Sequence, residues 1–385
     1  MTHMISRILK KQLLDDKKSV LLLGPRQVGK STLCAELSPD FTINLADEEQ
    51  YAAHLKDPAL VKRVTAPEKI KVVVIDEVQR IPSILNTVQF IIDNNPQKRF
   101  ILTGSSARKL KHGNANLLPG RLIVYQLPPL TYWEVKDNFD LKKALVSGML
   151  PEIYLNDNMQ DVLDSYSNTY LREEIKAEAL VKNVGDYGRF LDLSAIKSGE
   201  QINYSKLGSD AEIKKDTIRR YFQILEDTLL IHRLESFTKV VSPRRAQQRD
   251  KFLFFDTGVR NGILKILHNN FSTTELGSLF EQWIILQCVY FNQLRRKNWK
   301  LSYFRTDQGD EVDLIIETQH KLLAVEIKYT QNLKKTMCRG MNFFEQVVQK
   351  PVTKQLVYLG KHDQEFEDKS TALNFEKFLL QLDSL

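Results

Sequence analysis

Cysteine is scarce in this chain. Cys34, Cys288 and Cys338 are the only three in 385 residues, distant from one another and odd in number. That excludes a disulfide framework, offers no zinc spacing and points to a reducing, cytoplasmic setting. The histidines, His232 among them, show no metal-ligand spacing either, so they read as solvated or core side chains. Internal repeats, low-complexity tracts and proline-rich linkers are missing, which excludes solenoids and long flexible tethers. No signal peptide is expected at the N-terminus. Long apolar runs are also lacking. The nearest approach, Leu276 to Leu294, holds one charged residue, Glu281, but is interrupted by glutamines, Ser278 and Asn292, so no membrane partner is expected. It reads instead as a buried helix, and a carboxylate in its middle must be paired, protonated or metal-bound.

What is present describes a large globular protein. With 42% hydrophobic and 27% charged residues the chain is neither disordered nor fibrous, and its length predicts two or three domains. A formal charge of +7 and a pI near 9.0 favour polyanionic partners, nucleotide or DNA.

Gly24-Pro25-Arg26-Gln27-Val28-Gly29-Lys30-Ser31 fits G-x-x-x-x-G-K-[ST], after an apolar run Val20–Leu23 and before a helical opening at Ser31 to Leu37. Strand, loop and helix are the context a phosphate-binding loop needs. The glycines let backbone amides turn toward phosphate oxygens and the helix adds its positive end. Gly24 to Ser31, with Thr32, form the expected nucleotide-binding set. Lys30 would reach the β and γ phosphates of ATP, and the Ser31 hydroxyl would ligate Mg²⁺. A chance match on a glycine-containing turn is the alternative. Lys71-Val72-Val73-Val74-Ile75-Asp76-Glu77 argues against it, because an aliphatic strand ending in two carboxylates is the form of a Walker B. Asp76 would face the same Mg²⁺, and Glu77 would take the proton of the attacking water.

A second acidic group lies toward the C-terminus. Glu311–Ile316 and Leu323–Lys328 read as strands with a hairpin turn near Thr318 to Lys321. Alternation puts Glu326 and Lys328 on one face, and Asp313 can lie opposite them on the partner strand. Two carboxylates and an ammonium in that arrangement can hold Mg²⁺ beside a phosphodiester. An ordinary half-solvated hairpin is the other reading.

The middle is helical and changes architecture near Asp186. Tyr204 onward reads as a short helix, a turn around Asp210 to Ile213, and a second helix from about Asp216, with Ile218, Tyr221, Phe222 and Leu225 on its core face. Lys214, Lys215, Arg219 and Arg220 gather where a recognition helix would meet DNA. Leu229–Leu234 and Lys251–Phe255 then supply strands for a winged-helix hairpin, with Arg244, Arg245 and Arg249 in its loop. The turn position where this motif favours glycine is Glu212 here, which leaves open a plain packing module.

The quartet Glu281, Asp313, Glu326 and Lys328 resembles the PD-(D/E)xK restriction-endonuclease-like superfamily. From about Ile5 to Gly360 the chain resembles a bacterial and archaeal family of AAA-type P-loop ATPases with such a C-terminal domain of unknown function. The resemblance rests on the P-loop, Asp76-Glu77-Val78-Gln79, Leu102-Thr103-Gly104-Ser105-Ser106, Phe255-Asp256-Thr257-Gly258 and the quartet. It implies metal binding by Asp313 and Glu326, catalysis with Glu281 and Lys328, and a sensor role at Thr103 or Ser105. It also implies an arginine at Arg121 that reads phosphate within the chain or reaches a neighbour's nucleotide in a homo-oligomer. A surface ion pair is the plain alternative for Arg121.

The expected fold is α/β: an AAA-like parallel-sheet domain over 1–134, a helical connector and winged helix over 135–258, and a small nuclease-like α/β domain over 259–385. The expected function is an ATPase coupled to a DNA-binding module equipped for Mg²⁺-dependent cleavage. The alternative is a nucleotide-dependent switch whose nuclease-like domain is a non-catalytic DNA- or partner-binding surface.

Overall fold

The computed structural model describes residues 5–105, 120–157, 160–167, 184–239, 249–348 and 350–385. The chain forms two compact units, one of Met1–Lys136, Leu150–Leu155 and Gln223–Leu230, the other of Asp137–Met149, Asn156–Phe222 and Ile231–Leu385. Compactness thus draws a line after Lys136 and groups the middle of the sequence largely with its C-terminal part, whereas the sequence-based boundaries were three-way.

In the first unit β1 (Ser19–Leu23), β2 (Phe41–Asn44), β3 (Val72–Asp76), β4 (Arg99–Gly104) and β5 (Leu122–Gln126) make a parallel sheet in the order β2-β3-β4-β1-β5. β1 is buried along its length because it is paired on both sides and covered on both faces. β4 separates the strand of the phosphate loop from the strand of the acids. Its register sets Thr103 beside Leu22 and Leu102 beside Ile75, so β1, β3 and β4 all end at one edge. Leu21, Ile75, Leu85, Val88 and Phe100 are fully buried in the core of this unit.

The second unit carries an eight-stranded mixed sheet in the order β12-β13-β11-β10-β9-β8-β6-β7. Its strands are β6 (Ile231–Ser236), β7 (Lys251–Phe254), β8 (Lys300–Arg305), β9 (Glu311–Glu317), β10 (Leu322–Ile327), β11 (Thr353–Tyr358), β12 (Gln364–Glu365) and β13 (Thr371–Asn374). β8, β9 and β10 form an antiparallel meander, and Thr318 N donates to Lys321 O across the expected hairpin turn. The apolar stretch around Glu281 is the helix Thr273–Arg295, opened by a capping box in which Ser272 and Glu275 satisfy each other's backbone amides. Among the described residues no helix is long and apolar enough to cross a membrane.

The helix pair in the middle forms as Tyr204–Ala211 and Lys215–Asp227, and β6 and β7 pair as an antiparallel hairpin. The hairpin is not a free wing, however. β6 also pairs in parallel with β8 through Glu235 and Ser302, so the hairpin extends the C-terminal sheet. The helix pair and hairpin of the expected winged helix thus form, and the second edge of β6, whose backbone groups need partners, is joined to the C-terminal sheet. Arg244 and Arg245 lie outside the described residues.

Glu212 ends the first of these helices with φ 58° and ψ 39°, the left-handed conformation that a side chain tolerates poorly. Glu212→Gly is therefore expected to stabilise the turn by about 0.5–1 kcal/mol, after the extra freedom of glycine in the unfolded chain is subtracted. A rise in the urea midpoint checks it, and a fall would show that the Glu212 side chain makes a compensating contact.

Phe255-Asp256-Thr257-Gly258 proves to be a packing hub. Asp256 caps the helix Thr257–Ile263 through Val259 N and also accepts a 2.6 Å bond from Met149 N. A Cβ at Gly258 would stand 1.9 Å from Ser147 O, which leaves no room for any other residue. Burial lifts the Asp256 carboxyl to about 6, against three opposing backbone N–H donors. Because the folded form holds this proton more tightly than the unfolded chain, the contribution to stability is full below pH ~4 and is lost as pH rises through about 6. Melting temperatures of wild type and Asp256→Asn between pH 4 and 7 are expected to show a pH-dependent loss in wild type that the variant lacks.

Candidate functional site

Lys30 opens the helix Lys30–Ala35, and Gly29 before it takes φ 91°, which frees the turn from Cβ strain. The buried Lys30 ammonium donates to the loop's own carbonyls, Gly24 O at 2.8 Å and Pro25 O at 2.9 Å. A Cβ on Gly24 would meet Leu127 O at 2.5 Å, so the loop lies directly against backbone. Arg26, Gln27 and Thr32 are exposed around it and Val28 is buried.

Ser31 Oγ donates to Asp76 Oδ2 at 2.7 Å, which brings the two motifs together as expected. A hydroxyl and a carboxylate so placed are the hard oxygen donors that suit Mg²⁺. The fully buried Thr103 donates its hydroxyl to Asp76 Oδ1 and accepts from Glu77 N at 3.1 Å. Glu77 sits at φ 58°, a strained angle that turns its carboxylate out of the strand line. Gln79 Nε2 donates both to Glu77 and, at 3.1 Å, to Ser105 Oγ. Beside this group burial, with Asp76, pushes the Cys34 thiol up to about 12, so it is inert.

Arg121 is not brought to this edge. It precedes β5, whose Leu122 pairs with Ser19 at the start of β1, the opposite end from the phosphate loop. It forms an ion pair with Asp93 at 2.5 Å. An intrachain phosphate contact by Arg121 is therefore corrected by the parallel register.

Sequence reasoning missed Arg7. Its guanidinium is almost fully buried and donates to Val28 O at 2.6 Å, Pro128 O at 2.7 Å and Glu134 Oε1 at 3.0 Å, bracing the phosphate loop from beneath. No motif surrounds Arg7, so only the loop's need for a partner to Val28 O could have pointed to it.

The second group lies in the other unit. Leu314 pairs with Val325, which sets Asp313 opposite Glu326 as expected, and Asp313 Oδ2 accepts from Ile327 N at 2.8 Å. The Lys328 ammonium stands 2.5 Å from Glu326 Oε1 and 3.5 Å from Asp313 Oδ2. Glu326 Oε2 is buried with no hydrogen-bond partner. Burial and Asp313 hold the Glu326 carboxyl well above its ordinary range. Among the described residues no group of three or more His, Cys, Asp or Glu side chains is set to hold a metal unaided. The unpartnered oxygen beside Asp313 nevertheless fits a cation, which would satisfy it and offset the burial of charge.

Glu281 is joined to this cluster through space and to a residue that the sequence did not single out. Lys251, at the start of β7 and only 4% exposed, lies 3.3 Å from Glu281 and 2.8 Å from Glu311. Burial, with Asp313 close by, lifts the Glu281 carboxyl to about 7, and Lys251 opposes the shift. Both side chains line a cavity of about 400 Å³ with Arg249, Arg305, Glu200 and Gln201. His232 is half-buried, edge-on against Tyr290, and its desolvation lowers it to about 4. Lys214, Lys215, Arg219 and Arg220 are exposed, with Arg219 over the Tyr204 ring.

The geometry of the first unit has a counterpart among known families. Residues 16–136 match the AAA domain. The AAA domain is followed by two domains of unknown function, DUF8612 over 138–270 and DUF4143 over 276–378. An uncharacterized protein of Mycobacterium tuberculosis is 27% identical over 322 residues, covering 81% of this chain and 70% of its own. One from Methanocaldococcus jannaschii is 22% identical, covering 85% and 79% respectively. Among solved structures, a Signal Transduction ATPase with Numerous Domains with a tetratricopeptide repeat sensor from Pyrococcus horikoshii is 14% identical with a TM-score of 0.28, and the alignment covers 77% of this chain and 46% of that one.

Proposed function

We propose that the chain is an ATPase whose AAA domain binds ATP with Mg²⁺ and hydrolyses it. The observation that carries this reading is the bond between Ser31 and Asp76, with Thr103 tied to the same carboxylate, at the edge where the phosphate loop opens. Lys30 and the loop amides would take the phosphates, Ser31 and Asp76 would hold Mg²⁺, and Glu77 would accept the proton of the attacking water. Bound Mg²⁺ would supply charge to the β and γ oxygens. The test is Glu77→Gln. Its ATP affinity is expected to stay near wild type while hydrolysis falls on the order of 100-fold, and undiminished turnover would remove Glu77 from the role.

For the second unit the reading is a DNA-phosphodiester site, favoured by the buried, partnerless Glu326 Oε2 on a carboxylate whose other oxygen is paired with Lys328. Asp313 and Glu326 would hold Mg²⁺ there, and bound Mg²⁺ would act as a Lewis acid on the phosphate. Lys328 would neutralise charge on the attacked phosphate, and the basic side chains Lys214, Lys215, Arg219 and Arg220 would hold the DNA backbone. Hydrolysis of ATP in the first unit would regulate this module. The rival, a nucleotide-dependent switch with a non-catalytic surface, predicts DNA binding with no product.

A further inference from the structure

Gln79 follows the two Walker B acids by a few residues, and the chemistry assigned so far leaves it without a task. Its side chain is 4% exposed, so a polar amide has been taken out of water at the end of the acid strand. The two protons of its Nε2 are both used, toward Glu77 Oε2 and toward Ser105 Oγ at 3.1 Å. Its Oε1 is buried with no partner. An unpaired buried carbonyl is costly, and amides that carry one are held by something else. Here the holder is the Glu77 carboxylate, since turning the amide over would put Oε1 against Oε2 and two acceptors would repel.

The sheet is shaped around this side chain. A Cβ on Gly104 would stand 2.8 Å from Gln79 Oε1, so the glycine between Thr103 and Ser105 makes the room the amide occupies. Glu77 itself sits at φ 58°, and its backbone N–H is fixed by Thr103. Backbone strain, a glycine and an unsatisfied oxygen thus all serve one contact.

We propose that Gln79 is the positioning residue for Glu77, clamping the carboxylate to Ser105 just past the end of the neighbouring strand β4 so that its other oxygen faces the attacking water. This rests on the ATPase reading and deepens it. The clamp ties the general base to the strand whose Thr103 also holds Asp76, so base, metal-binding carboxylate and strand β4 move together. Misplacement of a general base by about 1 Å costs on the order of 100-fold in rate.

Gln79→Met keeps the volume and removes the donors, and Gln79→Glu keeps the shape and sets a second carboxylate against the first. In both, kcat for ATP is expected to fall on the order of 10-fold to 100-fold, while the affinity for ATP with Mg²⁺ stays near wild type, as does the melting temperature of Gln79→Met. A merely structural role would lower stability and affinity together. Unchanged or increased kcat in a folded Gln79 variant, beside wild-type turnover that Lys30→Ala abolishes, overturns the clamp and leaves the ATPase reading standing. Wild-type protein without Lys30-dependent turnover overturns both.

Discussion

Lys30→Ala is expected to weaken binding of ATP with Mg²⁺ on the order of 100-fold and to remove hydrolysis altogether. The ammonium is buried at the mouth of the loop, held by the Gly24 and Pro25 carbonyls, so it is already where phosphate oxygens would arrive. Charge-assisted bonds of this kind contribute about 1.5–3 kcal/mol each, and the loss of one at the upper end of that range accounts for the expected loss in affinity. The fold should survive, because the helix that follows is anchored by Leu33 and Cys34 in the core and the loop is braced independently by Arg7. Equilibrium binding of a fluorescent ATP analogue, with circular dichroism on the same sample, separates lost affinity from lost structure. Wild-type affinity in a folded Lys30→Ala protein would refute the assignment.

Lys328→Met and Glu326→Gln are expected to abolish Mg²⁺-dependent cleavage of plasmid DNA, a loss on the order of 1000-fold or more. The two changes act differently. Removing Lys328 takes away the ammonium that pairs with both Asp313 and Glu326, so two neighbouring carboxylates compete for protons and one is driven neutral. Glu326→Gln leaves the ammonium in place but replaces one of the two oxygen donors to the cation. ATPase activity in both should remain that of wild type, because the substituted residues belong to the other compact unit. Gel analysis of supercoiled plasmid with Mg²⁺ or Mn²⁺, with and without ATP, reads the result. If wild-type protein yields no nicked or linear product with either metal while still retaining DNA, the switch reading replaces the nuclease reading.

The nucleotide site was the more legible of the two because its chemistry is local. Gly24 to Ser31 run through one loop into the helix it opens, Asp76 closes one strand with Glu77 next to it, and the aliphatic run before each group announces a buried parallel strand. What local pattern could not supply is register. Nothing in the residues around Arg121 tells that β5 begins beside Ser19, at the wrong end of the sheet for phosphate. Arg7 escaped for a related reason. Its partners Val28, Pro128 and Glu134 are distant in sequence, and a lone arginine near a helix start carries no periodicity.

In the second unit the alternation of β9 and β10 correctly set Asp313 against Glu326, since period-two geometry needs only a hairpin turn to fix the pairing. Lys251 was hidden for the opposite reason: it heads an aromatic strand that reads as pure core, and its ammonium acquires a purpose only once Glu281 and Glu311 converge on it. The joining of the β6–β7 hairpin to the C-terminal sheet was hidden on the same ground. The helix pair and hairpin are local and form, but the pairing of β6 with β8 joins residues 235 and 302.

The central claim is that the AAA domain binds a nucleoside triphosphate together with Mg²⁺, and isothermal titration calorimetry of ATP with Mg²⁺ into the full chain tests it most directly. One site per chain is predicted, with the heat lost when Mg²⁺ is chelated or Lys30 is replaced. A flat titration on folded protein, or equal heat from wild type and Lys30→Ala, would contradict it.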